Sequence, residues 1–186
     1  MEELVRAPHK KEPPVDHLIG PAVGEVTRQW YFENEGGTPF ELSIREPSMV
    51  GDDGLGSKTW GSSFVLAHML SNLASTSLSH LLPGDGARHT TRVLELGSGT
   101  GLLGLAAAAT WRTEVILSDL PSIMPNLLFN IERNRAAVES LGGRLRAGHL
   151  TWGGDRAYND QTLFAQENQF SVSHLPPSPR LVCSTD

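Results

Sequence analysis

The stretch Val93-Leu94-Glu95-Leu96-Gly97-Ser98-Gly99-Thr100-Gly101-Leu102-Leu103-Gly104 decides the fold. Its first residues, with Arg92, read as a buried strand over 92–96, and the alanine-rich run over 102–110 reads as a helix. Between them lie closely spaced glycines, which take positive φ at little cost and let another group approach the backbone. A strand, a glycine turn and a helix form the first half of a βαβ unit. Ligands of such sheets bind beyond the carboxyl ends of the strands.

Working outward, residues 114–118, 144–150 and 180–184 read as further strands and 121–134 as a second helix. Pro121 and Pro125 fall near the first turn of that helix, where proline is tolerated. Strands alternating with helices imply parallel pairing, so the expected class is α/β: a Rossmann-like parallel sheet flanked by helices. Upstream, two β-type runs at 27–32 and 40–44 flank Asn34-Glu35-Gly36-Gly37, which predicts an N-terminal hairpin. A glycine-rich loop at 51–57 leads into a helix whose apolar residues Phe64, Leu66, Ala67, Leu70, Leu73 and Ala74 share one face, with Ser62 or Ser63 as its cap. Residues 1–24 mix proline, lysine and glutamate and read as a flexible segment preceding one domain over 25–186. The stretches 83–91 and 153–169 read as polar connections, the second long enough to suggest an insertion.

The chain has 186 residues and a formal charge of −6. That acidic balance argues against a broad nucleic-acid footprint, which needs a basic face. The single cysteine, Cys183, cannot form an internal disulfide and reads as a small buried hydrophobe. With no signal core and no apolar run of membrane-spanning length, the expectation is a protein of the cytoplasm, the nucleus remaining open, and a monomer without a membrane partner. The seven histidines, among them His68, His89 and His149, are scattered without metal-ligand spacing, so no metal is expected.

The glycines leave two cofactor classes open. Gly99, Gly101 and Gly104 satisfy the G-x-G-x-x-G dinucleotide pattern, and Asp119, twenty residues past Gly99, suits ribose hydroxyls in either class. Glu95 discriminates. A carboxylate at the strand tip repels a pyrophosphate, whereas S-adenosylmethionine carries ammonium and sulfonium charges. At ~4 Å and an effective dielectric near 20, one such pair contributes on the order of 4 kcal/mol before desolvation. Asp119 has a second reading as a cap of the following helix. Trp152, after the third strand, reads either as an adenine-stacking surface or as a core residue, and Trp60 shares that ambiguity.

ELGSGTGLLG, ILSDLPSIMPNLLFNIERN, WGSSFVLAHML and LTWG together resemble fungal family-16 methyltransferases, akin to the seven-strand non-histone protein lysine methyltransferases. The resemblance runs from about Val26 to Trp152 and more weakly to Asp186. It implies cofactor contacts at Trp60, Gly97, Ser98, Gly99, Asp119 and Trp152, with Glu95, Gly101 and Leu120 belonging to the same motifs. Asn130 and Asn134 match its helix and read as structural. Relatives carry D-x-x-Y at the end of the fourth strand. Here Asp186 would be its aspartate, holding the incoming amine, and Thr185 would lie near the cofactor. The tyrosine and the last three strands do not follow, so a sheet incomplete after its fourth strand is expected.

The leading expectation is therefore methyl transfer from S-adenosylmethionine to a lysine side chain of a protein substrate. A small-molecule methyltransferase shares the same cofactor residues. A nicotinamide-dependent oxidoreductase would account for the glycines alone. A non-catalytic interaction protein retaining a partial cofactor pocket would account for the incomplete sheet.

Overall fold

The computed structural model describes residues 24–33, 38–48, 56–82, 92–151, 159–164 and 183–184. Two sheets are present among them. Strands β1 (Val26–Phe32) and β2 (Phe40–Glu46) form an antiparallel hairpin in which Trp30 faces Leu42 and Phe32 faces Phe40. Strands β3 (Arg92–Leu96), β4 (Glu114–Asp119), β5 (Arg144–His149) and β6 (Cys183–Ser184) form a parallel sheet in the order β5-β4-β3-β6. Chain order reverses beside β3, with β4 on one flank and β6 on the other. Such a switch point is where an open α/β sheet leaves a crevice for a ligand.

Helix α2 (Leu102–Trp111) is the centre of the core, with every residue from Leu102 to Ala109 buried. Its four consecutive alanines leave room for neighbours on all sides, which explains an apolar composition without an amphipathic stripe. α1 (Gly61–Ser75), α3 (Met124–Ser140) and the hairpin pack around it. Gly104 allows the closest approach. A Cβ there would lie 2.8 Å from Leu117 Cδ2 and would also run into Glu95 Oε2.

The elements lie where the strand and helix readings place them, with strand ends shifted by one or two residues, β2 running to Glu46 and not ending at 44; three further details differ. The expected cap at Ser62 or Ser63 is absent: α1 starts at Gly61 after Trp60, with no side-chain cap. The second helix is displaced from 121–134 to Met124–Ser140. Residues 121–123 form a turn, and the helix continues because Val138, fully buried, extends its apolar face. The polar stretch 153–169 includes a helical turn, α4 (Gln161–Phe164), whose Leu163 is buried. Asp160 accepts the N–H of Thr162 at 2.9 Å, and its own N–H reaches the carbonyl of His149. The expected turn at 34–37, loop residues 51–55, the connector at 83–91, residues 153–158 and 165–169 of the long polar stretch, residues 180–182 of the expected fourth strand and residues 1–23 lie outside the described residues.

The hairpin is fastened to α3 by side-chain amides that imitate a third strand. Asn126, Asn130 and Asn134 recur every four residues and so share one helix face. Asn134 accepts the Ser43 N–H at 2.7 Å and donates to the Ser43 carbonyl at 2.9 Å. Asn130 does the same for Arg45 at 2.8 and 3.0 Å, and Asn126 donates to the Arg45 carbonyl at 3.2 Å. Unpaired buried backbone groups cost about 1–3 kcal/mol each. Asn134→Ala should accordingly lower equilibrium stability by about 2 kcal/mol in a denaturant titration; an unchanged midpoint would show that Ser43 needs no partner.

Candidate functional site

The turn after β3 is built from three residues with left-handed backbone: Gly97, Gly99 and Gly101, with φ of 67°, 54° and 86°. A side chain at any of them would be strained. Serines tie this turn to β4. The Ser98 N–H donates to the Ser118 carbonyl at 3.0 Å, and the Ser118 N–H donates back to Ser98 Oγ at 3.0 Å. The Ser118 hydroxyl closes the set on the Glu95 carbonyl at 2.7 Å. Ser98 is buried, and its hydroxyl shapes the turn.

Asp119 ends β4 at the rim of this loop. Its Oδ2 accepts the Gly99 N–H at 2.6 Å and its Oδ1 accepts the Leu120 N–H at 2.7 Å. The expected helix cap is not realised, because α3 begins at Met124 after Ile123 with no side-chain cap. Each carboxylate oxygen keeps a second lone pair, so the carboxylate is oriented by the backbone and still able to accept hydroxyl protons. Leu120 is half-exposed beside it.

Glu95 departs from its expected setting. It is only 3 % exposed, packed beneath the loop against α2. Burial pushes its carboxyl up to about 8, Ser98 and the Gly104 N–H moderate the rise, and the Asp119 charge adds to it. Although the Gly104 amide is close enough to act on it, Oε2 makes no well-formed hydrogen bond among the described residues. At neutral pH Glu95 is therefore mostly protonated. The simple charge-sign argument against a pyrophosphate weakens accordingly. What remains is a buried oxygen packed against Gly104 of α2 without a well-formed hydrogen bond among the described residues.

Trp60 is 52 % exposed and is not a core tryptophan; Trp30 takes that role. The segment 56–60 crosses the loop: a Cβ on Gly99 would come within 3.1 Å of the Gly56 carbonyl. The Thr59 and Thr100 hydroxyls lie 2.9 Å apart. The structure thus gathers Glu95, Gly97, Ser98, Gly99, Gly101, Asp119 and Leu120 around one turn and puts Trp60 at the end of the segment that crosses it. Trp152, Thr185 and Asp186 lie outside the described residues, although β6, which Thr185 follows, pairs with β3 through Glu95 and Leu96.

Sequence reading misses Ser118, Thr59, Thr100 and Glu46. Only Glu46 has a usable signal, as an acid at an inward position of an alternating strand. Among the described residues, no three His, Cys, Asp or Glu side chains gather as metal ligands would. No helix among them is long and apolar enough to cross a membrane.

Residues 39–166 match the sequence profile of a family described as lysine methyltransferase. The chain belongs to this family. The matched region runs from the hairpin through the glycine loop, Asp119 and α4, and so contains every described site residue. Similarity to individual proteins agrees. The family member is 36 % identical over 142 residues to the protein-lysine N-methyltransferase EFM2 of Saccharomyces cerevisiae, covering 70 % of this chain and 32 % of that one. It is 32 % identical over 126 residues to the protein-lysine N-methyltransferase rrg1 of Schizosaccharomyces pombe, covering 68 % and 37 %. The chain thus spans about a third of the length of these two relatives.

Proposed function

We propose that this lysine methyltransferase family member binds S-adenosylmethionine on the Gly97–Gly101 turn and transfers its methyl group to a lysine amine of a non-histone protein. The observation that carries the reading is the Asp119 carboxylate, held 2.6 Å from the Gly99 N–H at the rim of a turn made of three left-handed glycines. The names of the two yeast relatives support a protein lysine as the acceptor.

S-adenosylmethionine supplies an electrophilic methyl group on a sulfonium, an excellent leaving group, so in-line displacement needs no dedicated strong base. The chain's part is to bind, orient and desolvate. Asp119 would accept the ribose hydroxyls, and the backbone of residues 97–101 would lie against the cofactor with few Cβ atoms in the way. Glu95 would lie beneath the turn. Trp60 and Trp152 would flank the cofactor with aromatic surface, Leu120 would form an apolar lip, and Asp186 would hold the incoming amine with Thr185 beside the cofactor. The partner is a protein chain presenting a lysine, met by a monomer in the cytoplasm.

A methyl-transfer assay tests this directly. The purified chain is incubated with S-adenosylmethionine labelled in the methyl group and a protein lysate from a fungal cell. A labelled protein band whose label is recovered in methyl-lysine is the expected result. Label confined to small molecules, or no transfer, contradicts it.

A further inference from the structure

Glu46 ends β2, far in sequence from the glycine turn, yet it is joined to that turn by a short chain of contacts. Its side chain is buried. Its Oε1 accepts the Thr59 N–H at 3.2 Å, while its Oε2 faces Arg28 Nε at 3.4 Å and Lys58 Nζ at 4.0 Å. The Thr59 hydroxyl meets the Thr100 hydroxyl, and Thr100 is itself buried within the turn. The Thr100 carbonyl accepts from Asn130 Nδ2 at 2.9 Å, and Asn130 brackets the Arg45 peptide, which is bonded to Glu46. The path is a closed ring through the hairpin, the segment 56–60, the glycine turn and α3.

A buried acid facing two cations is a poor source of net stability, because desolvation offsets most of the attraction. Such groups are better explained by what they hold in place. Here the held segment ends in Trp60, whose indole is exposed and not anchored in the core, and it crosses Gly99 through the Gly56 carbonyl. Without the ring, the segment would be free to leave the turn, and a ligand would have to order it on binding.

We infer that the Glu46–Thr59–Thr100 chain is a latch that seats residues 56–60 on the glycine turn, making Glu46 and Thr59 positioning residues for cofactor binding. The inference rests on the turn holding S-adenosylmethionine. The latch acts through Trp60 and the backbone of the turn; neither Glu46 nor Thr59 needs to touch the cofactor.

Thr59→Val removes the hydroxyl at nearly constant shape, and Thr59→Ser restores it. Titration of each intact chain with S-adenosylmethionine in a calorimeter should show Thr59→Val binding about five- to tenfold more weakly and Thr59→Ser within about twofold of the unaltered chain, the loss expected for one hydrogen bond. Glu46→Gln keeps an acceptor for the Thr59 N–H but loses the charge, and should weaken binding about threefold. Melting of the cofactor-free proteins separates this from a structural staple: the Val and Ser variants should melt within about 2 °C of each other while their affinities differ. Equal affinities for the unaltered chain and Thr59→Val, or equal weakness of the Ser and Val variants, overturn the latch alone. An unaltered chain that binds no S-adenosylmethionine overturns the cofactor reading, and the latch's role falls with it.

Discussion

Asp119→Ala should weaken S-adenosylmethionine binding at least about a hundredfold in a calorimetric titration. The carboxylate is partly exposed at the end of β4, so its removal leaves no cavity in the core. Two charge-assisted hydrogen bonds to ribose hydroxyls contribute about 1.5–3 kcal/mol each, and about 3 kcal/mol already exceeds a hundredfold. The substitution also frees the Gly99 N–H, whose 2.6 Å bond to Oδ2 sets the turn. Asp119→Asn retains one acceptor oxygen and should lose roughly tenfold. Affinity of the alanine variant within about threefold of the unaltered chain would remove Asp119 from the site.

Glu95→Gln should raise stability at alkaline pH and abolish a pH slope that the unaltered protein displays. The Glu95 carboxyl titrates at its ordinary 4.5 in the unfolded chain and at about 8 in the folded one. Between those values the folded protein retains a proton that the unfolded chain gives up, so stability falls as pH rises through the window. Below pH 4.5 both states are protonated and nothing is lost; above pH 8 both are ionised and the loss is complete. The interval corresponds to at most about 5 kcal/mol. Glutamine is neutral throughout and similar in shape to the protonated acid, so the two proteins should differ most above about pH 8 and converge near pH 4.5. Melting temperatures that stay parallel across this range would mean that Glu95 is ionised and paired in the folded state.

The elements that carry the site are legible in the sequence because their signals are local. The valine and leucine run before Gly97 and the alanine run after it are marked by composition, and Asp119 by its place twenty residues past Gly99 at the end of the next strand. That step is realised as the hydrogen bond between the Gly99 N–H and Asp119 Oδ2. The helix boundaries are less accessible. Asn134, the last residue of the expected helix, lies well inside α3, buried and engaged with Ser43 across the interface. A polar residue satisfied by a distant strand is indistinguishable in sequence from one facing water.

Glu95 illustrates the same limit in its charge. Its position at the end of β3 is readable, but its protonation depends on burial against α2, which only the packed structure supplies. The latch is illegible for a related reason. Thr59 and Thr100 are 41 residues apart, and neither residue type carries a signal strong enough to pair them.

The most direct test of the cofactor assignment is a pair of calorimetric titrations of the intact chain, one with S-adenosylmethionine and one with NAD. A saturable one-to-one isotherm with S-adenosylmethionine and none with NAD is the predicted result. No binding of S-adenosylmethionine, or a saturable isotherm with NAD, would contradict it.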